Sequence, residues 1–157
     1  MATKDYSHWS DFLSDLSMVE KTVQELFQPA YGTRIGLRFI NKFTRKNTGC
    51  ETVQEILNLF RSELTYLIQV DAWDEPNEML SQIVIEDNHA KLALRIRFGK
   101  EQKEPFFLLD FDYFEEGQIG LDNLASRMER YHSCIYDAFR WCVKDESLAR
   151  FQPEMGV

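Results

Sequence analysis

Four segments of the chain alternate apolar and polar residues, and this period of two constrains the fold more than any other feature. They cover residues 33–44, 79–86, 90–99 and 105–114. Successive side chains of a β-strand point to opposite faces of its sheet, so alternation over such lengths predicts four strands, each with one buried face. The polar connectors after the second and third segments are short enough for antiparallel hairpins. We therefore expect a four-stranded, mostly antiparallel sheet.

Three other segments repeat their apolar residues every three or four positions, which is typical of amphipathic helices. The first helix is predicted over residues 6–27. A capping box formed by Thr48 and Glu51 predicts the start of the second, whose apolar stripe runs over residues 53–67 until an acidic turn at 71–77 ends it. Residues 115–118 are predicted to form the last turn before a helix over 120–143. A short helical tail over 145–157 completes the order α-β-α-β-β-β-α.

Composition supports one compact domain over residues 1–157. The chain is 44% hydrophobic and 13% aromatic, so it can bury a sizeable core without disulfides or metals. We expect an α+β domain with its amphipathic helices packed on one face of the sheet. The three cysteines show no C-x-x-C spacing, which indicates neither a disulfide framework nor a zinc site. With no apolar leader or span in the sequence, we expect a cytoplasmic protein.

Residues 31–43, YGTRIGLRFINKF, carry a resemblance to a known family. The run resembles the R-I-G-L-R-[YF]-[IV]-N signature of a sporadically distributed prokaryotic family of uncharacterised proteins. Further matches are an aromatic helix before the signature, an L-D-F-D strand at 109–112, and a late helix with a histidine and an aromatic-rich end. The residues concerned are Tyr6, Trp9 and Phe12 in the first helix, and His132, Tyr136 and Phe139 in the last.

The resemblance covers nearly the whole chain but only the C-terminal portion of the family's usual protein. Family members usually have a further N-terminal α+β half. The resemblance therefore implies that a function made jointly by both halves would be absent or supplied by another chain. The family's distribution suggests a regulatory or defence-associated role, and the resemblance brings no established activity.

Charge is distributed unevenly between the two faces of the predicted sheet. The chain has a net charge of −8, which disfavours nucleic acid as a partner. Alternation nevertheless places six basic and three acidic residues on the polar face, a local balance of +3. They are Arg34, Arg38, Lys42, Lys91, Arg95 and Arg97 against Glu86, Asp110 and Asp112.

This polar face is the predicted binding site, formed by Arg34, Arg38, Arg95, Arg97, Asp110 and Asp112. Arginine forks suit planar recognition of carboxylates and phosphates, and the aspartates would orient them. The main hypothesis is a non-enzymatic protein-interaction or regulatory module that binds a protein partner or a second copy. The structural alternative is a lattice of cross-strand ion pairs with modest gains in stability. A glycine between two arginines, Gly36, favours a functional role, because it permits close approach of a ligand.

The sequence is also compatible with two other functions. The arginines could bind an anionic small ligand or a nucleic-acid backbone. Alternatively, Asp110 and Asp112, which alternation places on one side of a strand, could hold a divalent metal for hydrolysis. We predict no catalytic residue and no cofactor, because the sequence contains neither a nucleophile and histidine arrangement nor a glycine-rich phosphate loop.

Overall fold

The computed structural model of the protein describes residues 8–69 and 76–151. It contains four strands, β1 (Gly32–Thr44), β2 (Met79–Asp87), β3 (Ala90–Glu101) and β4 (Glu104–Ile119). They form one antiparallel sheet in the order β1-β4-β3-β2. With the helices this gives the α+β fold predicted from the alternation.

Helices connect and cover the strands. The two long ones are α1 (Trp9–Phe27) and α5 (Leu124–Cys142). The described residues between β1 and β2 form three short helices, α2 (Arg45–Thr48), α3 (Val53–Leu57) and α4 (Ser62–Thr65), and the 3₁₀ helix Tyr66–Ile68. A second 3₁₀ helix, Asp145–Arg150, follows α5 where the sequence predicts a helical tail.

The hydrophobic core lies between the helices and one face of the sheet, which we call the inner face. Phe107, Leu109 and Phe111 of β4 are fully buried there, against Tyr131 of α5 and Phe60. β4 lies between β1 and β3 in the sheet, and so its inner face receives the most cover. The opposite, outer face contributes no residue to this core cluster, which agrees with helices packed on one face.

The prediction of one continuous helix over residues 53–67 is wrong. The chain leaves the helix after α3, and Phe60 pairs with Val143 in an isolated antiparallel bridge. Two backbone hydrogen bonds hold this bridge: Arg61 N–H donates to the carbonyl of Cys142 at 3.0 Å, and Lys144 N–H donates to the carbonyl of Leu59 at 3.0 Å. Backbone groups committed to another segment cannot also make helical bonds, and so the helix is divided.

The helix start predicted at Thr48 and Glu51 is also displaced. A capping box forms four residues earlier, between Thr44 and Asn47, and it begins α2. α3 begins at a different cap, because the hydroxyl of Thr52 accepts from the backbone N–H of the residue three positions on. In this box asparagine takes the role usual for glutamate: the side-chain oxygen of Asn47 accepts a hydrogen bond from the Thr44 N–H at 2.8 Å.

β4 extends five residues beyond its predicted end. Residues 115–118, predicted as a turn, continue the strand to Ile119. Gly117 has a φ of 119°, a conformation that glycine adopts readily, and the register with β1 shifts near this point. The strand therefore accommodates an irregularity where we expected a turn, and α5 begins at Leu124 rather than near residue 120.

β2 has less helical cover than predicted. Ile83 and Ile85 lie on the inner face by register, yet 44% and 51% of their surfaces are exposed. Both belong to the edge strand farthest from β1. The helices therefore bury the inner face of β1, β4 and β3 but leave much of β2 open.

Some predicted features lie outside the described residues. They are Tyr6 at the start of the first helix, residues 71–75 of the acidic turn, and the tail beyond Phe151. Within residues 8–69 and 76–151, no helix combines the length and the apolar character needed to cross a membrane.

Candidate functional site

The outer face of the sheet holds the predicted site. In β1 it presents alternate residues from Arg34 to Lys42, and in β4 those from Phe106 to Glu116. The register of β3 with β4 adds the odd-numbered residues from Lys91 to Glu101. Strand pairing thus brings residues from three separate parts of the sequence into one surface, with the even-numbered residues of β2 at its edge.

Five of the six predicted site residues meet in a group that we call the ion-pair ladder: Arg34, Arg38, Arg95, Asp110 and Asp112. Arg38 binds Asp110 through two hydrogen bonds of 2.7 and 2.6 Å, from Nε and Nη2. Nη2 of Arg34 lies 3.0 Å from each carboxylate oxygen of Asp112. Arg95 stands between the two carboxylates, with Nη1 at 3.4 Å from Asp110 and 3.8 Å from Asp112.

Burial is unequal within the ladder. Only 6% of the Asp110 side chain and 11% of the Asp112 side chain are exposed, whereas those of Arg34 and Arg38 are about half exposed. Buried carboxylates need full hydrogen-bonding and charge compensation, which the arginines provide. The hydrogen bonds that Arg38 donates to Asp110 raise the pKa of its guanidinium above its ordinary value, while partial burial acts in the opposite direction. Three guanidinium groups thus surround two carboxylates, which leaves one positive charge in excess within the ladder.

Arg97, the sixth predicted residue, lies apart from the ladder. Its Nε and Nη2 bind Glu78 at 3.1 and 2.8 Å, beside the edge strand β2. Both side chains are at least half exposed. Arg97 therefore belongs to the rim of the outer face.

The basic excess predicted for this face disappears in the structure. Three carboxylates outside the alternating segments, Glu78, Glu101 and Glu116, pair with basic residues of the face. Together with the three predicted acidic residues they equal the six basic ones in number, so the face has no basic excess. Glu101 and Glu116 lie on strand ends that extend beyond the alternating segments, and Glu78 directly precedes β2. The alternation of the sequence therefore did not reveal them.

Gly36 serves packing within the sheet. It lies opposite Phe114, and a Cβ at this position would come within 2.8 Å of the Phe114 Cβ. The guanidinium of Arg34 stacks over the Phe114 ring at 4.3 Å. The aromatic side chain thus fills the space that an approaching ligand would need.

A second glycine and phenylalanine pair repeats this arrangement on the other side of β4. Phe106 lies opposite Gly99, and its ring would be 3.0 Å from a Cβ there. Lys42 and Arg97 lie over the same ring at 4.7 and 5.6 Å. Cation–π contacts of this kind hold the long basic side chains flat against the sheet. Sequence analysis missed both rings.

The proposed metal site of Asp110 and Asp112 is not formed as a ligand set. Both carboxylates face guanidinium groups within 4 Å, and these cations occupy the directions from which a metal would be bound. No group of three or more histidine, cysteine, aspartate or glutamate side chains suited to a metal occurs in the described part of the chain.

Two cavities lie away from the outer face. One of about 380 Å³ is polar and contains Tyr113, whose hydroxyl donates to Asp87 at 2.5 Å, next to the ion pairs of Arg127 and Arg130 with Glu115. Burial, then the bond to Asp87, raises the pKa of Tyr113 far above its ordinary range.

The other cavity, of about 510 Å³, is aromatic. It is lined by Trp9, Phe39 and His132, among others. The Trp9 and His132 rings stack with centroids 4.1 Å apart. Neither cavity contains a residue of the predicted site, and neither was predicted from the sequence.

Comparison with known proteins adds no family assignment. A scan against protein-family models found no match, and a search of curated proteins found no significant similarity. What the chain does must therefore be argued from its own residues.

Proposed function

We propose that this chain is a non-enzymatic protein-interaction module with a regulatory role, and that the outer face of the sheet is its binding surface. One observation carries the proposal. Ile40, Leu80 and Val84 lie on this face among the ion pairs, and between 50% and 69% of their surfaces are exposed. Aliphatic side chains between organised charges are typical of protein-binding surfaces, which combine apolar contact with polar complementarity.

The ion-pair ladder supports a protein partner over an anion. Because Asp110 and Asp112 already satisfy Arg34, Arg38 and Arg95, a free phosphate or carboxylate would have to displace a buried carboxylate from its partners. The arginines still present half-exposed edges in fixed positions. A partner that offers separate acidic and apolar groups fits this surface better than a polyanion does.

Two further features agree with an intracellular site of action. All three cysteines, Cys50, Cys134 and Cys142, are free thiols. Burial raises the pKa of the Cys142 thiol to about 12, which keeps it protonated and unreactive. Free buried thiols are usual where the environment is reducing, and we propose the cytoplasm.

The test compares two substitutions on the same strand. Leu80→Glu places a charge on the outer face, whereas Ile83→Glu places the same charge on the inner side of β2, at a position that is 44% exposed. Light scattering measures self-association, and affinity capture with the wild-type protein identifies heterologous partners. We expect association that Leu80→Glu weakens by about tenfold or more and Ile83→Glu leaves intact, since a charge at an apolar contact both removes that contact and must be desolvated on binding.

Three results would contradict the proposal. A monomeric protein that retains no partner would remove its basis, and equal losses in both variants would show that the outer face is not involved. Binding of single-stranded DNA that falls steeply with salt and requires Arg38 or Arg95 would support the anionic-ligand alternative instead.

A further inference from the structure

The second half of α1 exposes an apolar surface that is separate from the outer face. None of the nineteen residues of α1 is buried. Its first half packs against the core through Trp9, Phe12 and Leu16. Beyond this contact the exposed fractions rise, to 70% for Leu26 and 74% for Phe27.

The apolar residues of α1 follow a heptad spacing that continues past the packed half. Trp9, Phe12, Leu16, Val19, Val23 and Leu26 alternate steps of three and four residues. Such spacing produces a continuous seam along one side of a helix, the arrangement that binds another helix in a coiled coil. The part of the seam formed by Val19, Val23, Leu26 and the adjacent Phe27 is between 38% and 74% exposed. We call it the α1 seam.

Charges beside the α1 seam are acidic. At about 100° per residue, Asp15 lies next to the seam on one side and Glu20 on the other. Lys21 and Glu25 lie on the back of the helix and pair with each other at 3.9 Å. The lysine therefore does not compensate the two carboxylates that border the seam.

This charge pattern selects the occupant. A second copy of α1 would bring Asp15 and Glu20 against the same residues, and like charges beside a coiled-coil seam oppose pairing. An anionic membrane surface would repel the same carboxylates. We propose that the α1 seam binds an amphipathic helix of another protein, with an apolar seam of its own flanked by lysine or arginine. This surface is distinct from the outer face, so either proposal can fail without the other.

Two synthetic helical peptides of about three heptads test the occupant. They share one leucine and valine seam and differ only in flanking residues, which are lysine in one and glutamate in the other. Fluorescence anisotropy with the full chain measures their binding. We expect the basic peptide to bind with a Kd on the order of 10 μM, as for a small interface, and the acidic peptide to bind at least about tenfold more weakly.

Substitutions in α1 assign the binding to the seam. Leu26→Glu should weaken binding of the basic peptide by about tenfold or more, because the substitution removes exposed apolar area from the seam and leaves the core untouched. Ser14→Glu, an equal change of charge on the back of the helix, should leave its affinity within about twofold. Glu20→Lys should lower the affinity for the basic peptide and raise the affinity for the acidic one.

Four results would overturn the proposal. They are no binding of the basic peptide, equal binding of both peptides, a dimer in sedimentation that Leu26→Glu dissociates, and binding to phosphatidylserine vesicles that the same substitution abolishes. The dimer would identify a second copy as the occupant, and the vesicles would identify a lipid surface.

Discussion

Asp110 binds two of the three arginines of the ion-pair ladder, Arg38 and Arg95. Its side chain is almost fully buried, although it lies on the face of the sheet that no described helix covers. Long neighbouring side chains, above all those of Arg38 and Arg95, shield the carboxylate from water. They also donate hydrogen bonds to it and compensate its charge. A carboxylate left in this place without them would be strongly unfavourable.

Asp110→Ala should lower the free energy of unfolding by about 2 kcal/mol. The loss is smaller than for a fully buried pair, because Arg38 is half exposed and water can replace part of what the carboxylate provides. Glu78→Ala is the control, because it breaks the exposed pair with Arg97 and should cost less than about 0.5 kcal/mol. Urea denaturation measures both. Equal losses would show that burial of Asp110 contributes nothing.

The alternation alone predicted which residues share the outer face. It did not predict how these residues pair. Arg38 lies directly opposite Asp112 in the register, yet it binds Asp110 diagonally. Arg34, opposite Glu116, reaches farther: it binds Asp112, four residues along β4, more closely than its direct neighbour. Long side chains reach diagonal positions in an antiparallel pair, and the twist of the sheet helps to decide which diagonal is shorter. A sequence pattern contains neither quantity.

At the level of elements, the hairpin between β3 and β4 contains backbone strain. Glu101 pairs with Glu104, so the turn consists of Gln102 and Lys103 alone. Their φ angles are 51° and 72°. A two-residue turn with both angles positive favours asparagine and glycine, and other side chains adopt this conformation at a cost.

Replacing Gln102 and Lys103 by asparagine and glycine should therefore raise the free energy of unfolding by about 1 kcal/mol. Thermal and urea denaturation of the double variant measure the gain. Lys100→Gly, a glycine placed inside β3, is the control and should lower stability, since glycine weakens strand interiors. A double variant no more stable than the wild type would show that the native side chains offset the strain.

Some secondary-structure elements could be predicted from the sequence and others could not, and the difference has a physical reason. The strands and the two long helices follow from periodicity, because each repeats one environment over many residues. The segment over residues 53–67 also has helical periodicity, but the bridge from Phe60 to Val143 divides it. That bridge joins residues 83 positions apart in the chain, by the numbering of the printed sequence. Tertiary contacts of this range override local preference and leave no local signal.

For the whole molecule, the attachment of α1 depends on a small junction with α5 and β1. His132 of α5 stacks on Trp9 and also contacts the Phe39 ring at 5.8 Å. The indole N–H of Trp9 donates to Glu129 at 2.9 Å. The proposed binding surface of α1 is therefore held in place through a titratable ring.

Burial lowers the pKa of His132 below its ordinary value of 6.5, and the nearby charge of Glu129 only partly opposes this. Well above pH 6.5 the ring is neutral in both folded and unfolded states, and the folded protein keeps its full stability. As the pH falls below that value, the unfolded chain binds a proton that the folded protein does not. Stability should decrease until the pH has passed the lower pKa of the folded state.

His132→Gln should therefore reduce the acid sensitivity of the fold. Urea denaturation at pH 7 and pH 5 gives the loss of unfolding free energy for each protein, and the loss should be smaller in the variant than in the wild type, whatever stability the missing ring contact costs at pH 7. His89→Gln, in the exposed turn between β2 and β3, is the matched control and should keep the wild-type difference between the two pH values. All three proteins have the same carboxylates, so the comparison isolates the substituted histidine. An identical pH difference in the His132 variant and the wild type would show that protonation of this ring does not loosen the junction that carries α1.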